Sequence, residues 1–414
     1  MTVQTARGSP AVAFWRNPVV LVLCGCLIAM ISFGPRSAIG FFLTPMSQAQ
    51  HWGRDVFAFA LALQNLLWGV GQPVAGAIAD RYGAPRVLAL GAALYGLGLY
   101  LMTYSTTPLM LTLSAGVLVG FGLSGCAFTI VVGALGKLVP PEWRSTAFGF
   151  GTAAGSFGQF LFSPLAVALM GSFGWQTTLL IFAALMVFIL PLSLVLSTPR
   201  SSAPSGSAAP AQSLRHALAE AFAHRSYVLL VLGFFTCGFQ LGFTTVHLPS
   251  YLLDRGLSAE IGGWTLAVIG LFNIIGSVSS GYLGNLVPKR YILSTIYFSR
   301  ALSIAVFVLL PASPVTTLIY GAVTGLLWLS TVPPTSGLVV VMFGTRWLAM
   351  LFGFAFLSHQ IGSFIGVWLG GVLFDAFGTY DPVWWLGVAL GVASAVINLP
   401  IVEEPVERPA AAAA

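Results

Sequence analysis

Runs of about twenty apolar residues recur along this chain from end to end, parted by short polar stretches. A run of that length crosses a bilayer as a helix, because only a helix or a closed barrel satisfies its backbone where water is absent. Twelve such runs can be drawn, at about 18–45, 55–78, 86–106, 109–136, 144–170, 175–197, 226–253, 260–284, 290–310, 314–340, 346–374 and 382–402. They are too long, and alternate too little, for the strands of a membrane barrel. Composition points the same way. Of 414 residues 57% are hydrophobic, and the 17 basic and 11 acidic side chains are too few to cover a soluble protein of this size. The expectation is an all-α membrane protein with twelve transmembrane helices.

Lysine and arginine orient it. With both termini in the cytoplasm, the cytoplasmic loops and tails hold thirteen basic residues and the outer loops only Arg54 and Arg255. Such a bias is the positive-inside signature of an inner (plasma) membrane protein. The basic balance therefore reports topology and does not call for nucleic acid. Cys24, Cys26, Cys126 and Cys237 all fall inside apolar runs, with neither disulfide nor metal spacing. The N-terminal stretch shows no cleavage pattern, so the first helix is expected to be retained.

The longest polar stretch, 198–225, is rich in Ser, Pro and Ala in its first half and amphipathic from Leu214 to His224. It divides the chain into 1–197 and 226–414, and the two parts resemble each other at an offset of 204 residues. Phe148-Gly149-Phe150 repeats as Phe352-Gly353-Phe354, Gly158 as Gly362, Phe173-Gly174 as Phe377-Gly378, and Pro45 as Pro249. The segment GAIADRYGAPR (76–86) repeats as GYLGNLVPKR (281–290) with one residue of slip. A duplicated six-helix unit follows, and duplicated bundles hold substrate at their shared face near the bilayer midplane.

Arg36 stands inside the first run with no acidic residue near it. Arginine keeps its proton, and a charge at that depth costs about 2.5–3.5 kcal/mol on insertion scales. Such a residue faces protein or a watery path and needs a counter-charge, which a substrate can bring. Arg300 poses the same problem in the ninth run. It is read as snorkelling from a peripheral helix toward the interface.

Gly76, Asp80, Arg81, Gly83 and Arg86 resemble the loop signature between helices two and three of the major facilitator superfamily. The resemblance spans nearly the whole chain. It implies two pseudo-symmetric six-helix bundles, with Asp80, Arg81 and Arg86 as gating groups on the cytoplasmic side. Phe33, Pro35, Arg36, Ser37 and Phe41-Phe42 are similar to the helix-one signature of its monocarboxylate transporters, which carry lysine where this chain has Arg36. The related oxalate/formate exchangers also hold carboxylates with basic groups. Helix eight departs from that pattern: Asn273 and Ser277 stand where the family has an Asp and an Arg.

Polar stripes supply the remaining candidates. Gln240, Thr244 and His247 recur at helical spacing in helix seven, and Gln240 is the internal counterpart of Arg36. Helix two offers Asn65, Trp68 and Gln72. Helix five offers Thr152, Ser156, Gln159 and Ser163, and helix ten Tyr320, Thr324, Trp328, Thr331 and Thr335. His359, beside Ser358 and Gln360 in helix eleven, can carry a proton or donate to a carboxylate. Helix–helix hydrogen bonding is the alternative reading of the helix-seven stripe and of His359, and aromatic and apolar packing that of the tryptophans. Asp375 reads as a cap or outer gate. The substrate site expected from these is Arg36, Gln240, His359, Asn65, Trp68, Thr244 and Trp328.

The function expected is secondary transport of a small organic anion, a monocarboxylate, by proton symport or anion exchange. The partners expected are that anion and membrane lipid, with no cofactor, no metal and a monomeric state. Proton-driven efflux of amphipathic compounds is the alternative, but helix five lacks the GP-x-x-GG pattern of such antiporters. No nucleophile elbow, paired acids or phosphate loop suggests an enzyme.

Overall fold

The structure, a computed structural model, describes residues 15–139, 141–197, 214–344 and 348–406. Its spans are α1 (Pro18–Ser37, carried on by a 3-10 turn Ile39–Phe42 and a short helix Leu43–Gln50), α2 (Arg54–Tyr82) and α3 (Ala84–Met102). Then follow α4 (108–138), α5 (141–173), α6 (175–195), α7 (Arg225–Asp254), α8 (Ala259–Leu283), α9 (Lys289–Leu309), α10 (Pro314–Phe343), α11 (Leu348–Phe377) and α12 (Asp381–Asn398). A surface helix, Leu214–Ala223, precedes α7. The first part of the expected linker, 198–213, lies outside the described residues.

Local chemistry sets the ends. Asn17 caps α1, its Oδ1 accepting from Val19 N at 2.9 Å, and Pro18 occupies a position that needs no donor. Ser313 and Thr316 form a reciprocal capping box at the start of α10. Gly174 and Gly378 turn the chain between α5 and α6 and between α11 and α12 with φ of 77° and 70°. These glycines stand 204 residues apart, so the repeat read in the sequence is a repeat of backbone.

The same holds for packing. α1 packs on α5 and α7 on α11. A Cβ on Gly158 would lie 2.7 Å from Met30 O, and one on Gly362 would run into Phe235 O. Both helix pairs therefore cross backbone to backbone at equivalent glycines, as small residues permit in a membrane. The bundles meet along α2 with α11 and α5 with α8, while the 3-10 turn of α1 abuts α7.

α4 and α10 are broken at equivalent places. α4 is interrupted at Ala127, whose ψ of 146° leaves the helix, and α10 stops at Leu327 and resumes at Val332. The apolar runs hide both breaks.

Candidate functional site

Arg36 lies in the last turn of the Pro18–Ser37 helix, where unpaired carbonyls favour a cation. Its side chain is 6% exposed. Nη2 donates to Asn65 Oδ1 at 2.6 Å, while Nε and Nη1 are buried without an acceptor among the described residues. Asn65 is oriented for this by its own helix, since its Nδ2 donates to Leu61 O at 3.1 Å. One nitrogen of the guanidinium is thus engaged, and the protons of the other two are unspent.

Arg300 is the internal comparison. It is 2% exposed, so it does not snorkel as the sequence reading expected. Its Nε donates to Leu327 O at 3.0 Å, Nη2 donates to the Leu327 and Trp328 carbonyls, and Nη1 reaches Gln240 Oε1 at 3.5 Å. The break in α10 frees those carbonyls, and Arg300 caps them from α9. Asn273 and Ser280 of α8 satisfy the next two groups of the break. Leu329 N donates to Asn273 Oδ1, and Ser280 Oγ donates to Ser330 O. Arg300 is a structural cation with its donors used, and Arg36 is not.

The stripe on α7 shares one face, but that face looks into its own bundle. Gln240 Nε2 donates to Gly387 O of α12 at 2.9 Å, so its amide serves α12 and Arg300 and is not turned to Arg36. Thr244 sits by the Tyr320 hydroxyl. Trp328 is buried at the α10 break, its carbonyl held by Arg300.

Two other candidates are linked across the seam through Phe356. The Trp68 ring stands edge-on to Phe356 at 5.7 Å, and Phe356 stacks on His359 at 5.6 Å and 7°. Trp68 Nε1 donates to Gln72 Oε1 at 2.8 Å, which holds the ring. His359 Nδ1 lies 3.2 Å from Gln360 Oε1. Asn273 Nδ2 donates to Ser156 Oγ at 2.9 Å and Gln159 Nε2 to Leu266 O at 3.2 Å, so the helix-five stripe joins the bundles. The side chains of Asp80, Arg81 and Thr152 lie outside the described residues. Arg86 is exposed at the start of α3, with Nη1 donating to Tyr82 O at 3.4 Å.

At the end where α1 hands over to α2, the seam is closed by a network that has no local pattern in the sequence. Arg54 of α2 donates twice to Asp254 of α7, at 2.6 and 2.8 Å, and once to Tyr380 Oη at 2.9 Å. Asp375 of α11 accepts from the backbone N–H groups of Arg54 and Asp55 at 3.2 and 2.8 Å, capping a helix of the opposite bundle. Burial pushes the Tyr380 hydroxyl up to about 12, so it keeps its proton. Behind it, fully buried His247 lies 3.2 Å from Tyr380 Oη through Nδ1 and 2.8 Å from Val367 O through Nε2. The carbonyl can only accept, so Nε2 carries the proton and Tyr380 donates to Nδ1.

Among the described residues, twelve helices in two repeated bundles, meeting along α2/α11 and α5/α8, narrow the family, and comparison with known proteins decides it. The profile of the Major Facilitator Superfamily matches residues 25–366. The chain belongs to that superfamily. It is 29% identical over 392 residues to the uncharacterized MFS-type transporter YcxA of Bacillus subtilis (strain 168), covering 90% of this chain and 91% of that one. It is 24% identical over 390 residues to monocarboxylate transporter 13 of Rattus norvegicus, covering 92% and 88%. Among solved structures it superposes on a bacterial homolog of the human lysosomal transporter Spinster, in an inward-facing and unoccupied conformation. That match has a TM-score of 0.70 at 16% identity, over 95% of both chains. Against a point mutant of the nucleoside transporter NupG the TM-score is 0.71 at 15% identity, over 92% and 99%. These two likenesses establish the fold. The protein is a multi-pass membrane transporter of the major facilitator superfamily.

Proposed function

We propose that this transporter moves a small organic anion, a monocarboxylate, across the plasma membrane by alternating access, coupled to a proton or to a counter-moving anion. One observation carries the reading: Arg36 is a buried membrane cation whose Nε and Nη1 have no acceptor among the described residues, while the equally buried Arg300 is saturated by carbonyls. A carboxylate supplies the missing charge and two oxygens to accept charge-assisted hydrogen bonds. The likeness to monocarboxylate transporter 13 supports the substrate class.

In this reading Arg36 and Asn65 hold the anion, and Trp68 and His359 border it from the two bundles. Gln240, Thr244 and Trp328 form the layer behind, where they set the position of α7 and α10. Anion binding removes the net charge from the seam, which lowers the cost of closing water out of it. The bundles then rock about the bound anion. The Arg54–Asp254–Tyr380 network is the gate at one end, and Asp80, Arg81 and Arg86 form the gate at the other. The division 1–197, 198–225 and 226–414 gives the two moving bodies and their tether, with both termini in the cytoplasm and a monomer sufficient.

The test is uptake into proteoliposomes of radiolabelled formate, acetate, lactate, pyruvate and oxalate. Uptake of at least one is expected, and Arg36→Gln is expected to cut it about a hundredfold, the scale of losing charge-assisted hydrogen bonds. Undiminished uptake by folded Arg36→Gln protein refutes the anion site.

A further inference from the structure

Among the described residues that line the α2/α11 seam, Gln360 shares with Arg36 a buried donor that has no acceptor. It lies on α11, 1% exposed, and its Nε2 has no partner among the described residues. Its other end is spoken for, because Oε1 lies 3.2 Å from His359 Nδ1. With the proton on Nδ1, His359 donates to Oε1 and fixes the amide so that Nε2 keeps both of its protons free. His359 is itself clamped between the Phe356 ring and Phe234, at 5.6 and 5.2 Å.

The stem of Gln360 rests on α2. A Cβ on Gly69 would lie 2.7 Å from Gln360 Cβ and 2.9 Å from its Cγ. Ala58 lies on the same face of α2, against Gly371 of α11. Asn65 falls between these two contacts, seven residues from Ala58 and four from Gly69. Those spacings keep all three on one side of a helix. The face of α2 that receives Arg36 is therefore the face that receives Gln360. The two buried unspent donors come from opposite bundles and border the same stretch of the seam, about one helical turn apart along α2.

We propose that Gln360 is the second arm of the anion site: its Nε2 donates to the carboxylate that Arg36 holds, so the substrate bridges the two bundles. This rests on the anion reading above. It gives His359 a definite part as the positioning residue that sets the amide, and it explains how occupancy at Arg36 is sensed by the other bundle.

Purified protein in detergent is tested by thermal shift and equilibrium binding with formate, acetate, lactate, pyruvate and oxalate. Three variants are compared with wild type: Gln360→Leu, which removes the donor; Gln360→Glu, which keeps the shape and reverses the preference; and Arg36→Gln. Gln360→Leu is expected to weaken binding of the best carboxylate about tenfold, one hydrogen bond to a charged group. Gln360→Glu is expected to abolish binding and to raise Tm in the absence of ligand, because the new carboxylate pairs with Arg36. Wild-type affinity in folded Gln360→Glu protein overturns the assignment of Gln360. If binding depends on Arg36 but not on Gln360, this proposal alone falls. If no carboxylate binds the wild-type protein, the anion reading falls and takes this proposal with it.

Discussion

At the residue scale, two arginines buried among the described residues, Arg36 and Arg300, are treated alike by sequence alone and differently by the fold. Arg36 was legible because a fixed charge in an apolar run is costly and lacks a local acid. Arg300 raised the same alarm, but its remedy was invisible, since the carbonyls it caps exist only because α10 breaks at Leu327. The consequence is a test of opposite signs. Arg300→Met leaves those carbonyls buried without donors, at about 1–3 kcal/mol each. It is expected to lower Tm clearly while folded protein keeps its affinity for carboxylate. Gln360 was harder to see than either, because a glutamine in a helix has many uses. Only the engagement of Oε1 with its neighbour His359 marks Nε2 as spare.

At the scale of the helices, the apolar period shows that a span exists and hides how it is interrupted. Ala127 has no proline beside it and no polar cluster around it, yet α4 leaves the helical path there. The glycines were more informative, because a crossing needs them at fixed places whatever surrounds them. A Cβ on Gly238 would run into His359 O, so α7 and α11 touch at the residue that positions Gln360. Gly238→Ala forces the two backbones apart, at the cost of about 1–3 kcal/mol typical of overpacking. The expected outcome is a lower Tm together with weaker carboxylate binding. Gly76→Ala is the control: among the described residues nothing lies within 4 Å of the added methyl, and neither quantity is expected to move. The α7 stripe shows the limit of periodicity from the other side. Spacing put Gln240, Thr244 and His247 on one face, but only the packing of α12 and α11 shows what that face meets.

At the scale of the whole molecule, the duplication could be read directly, and with it the two bundles and their seam. The closed end could not. Arg54 and Asp254 are 200 residues apart and Arg54 and Asp375 are 321 apart, and no local pattern links them. This network and the 3.0 Å contact of Thr44 Oγ1 with Ser250 Oγ hold the bundles together at that end. Replacing Thr44 and Ser250 by cysteine is expected to give a disulfide under mild oxidation that stops carboxylate uptake, with reduction restoring it. Asp254→Asn weakens the gate from the other direction. It is expected to raise labelling of Thr44→Cys by a membrane-impermeant maleimide added to that side.

All of this turns on Arg36 being a charge that the protein leaves for its substrate to neutralise. Thermal unfolding of wild type and Arg36→Met, each with and without saturating carboxylate, tests that most directly. Removing an uncompensated buried cation relieves a cost of several kcal/mol, so Arg36→Met is expected to melt higher than wild type without ligand. Carboxylate is expected to raise the Tm of wild type and to leave the variant unmoved. A variant that melts lower than wild type and still gains stability from carboxylate would contradict the account.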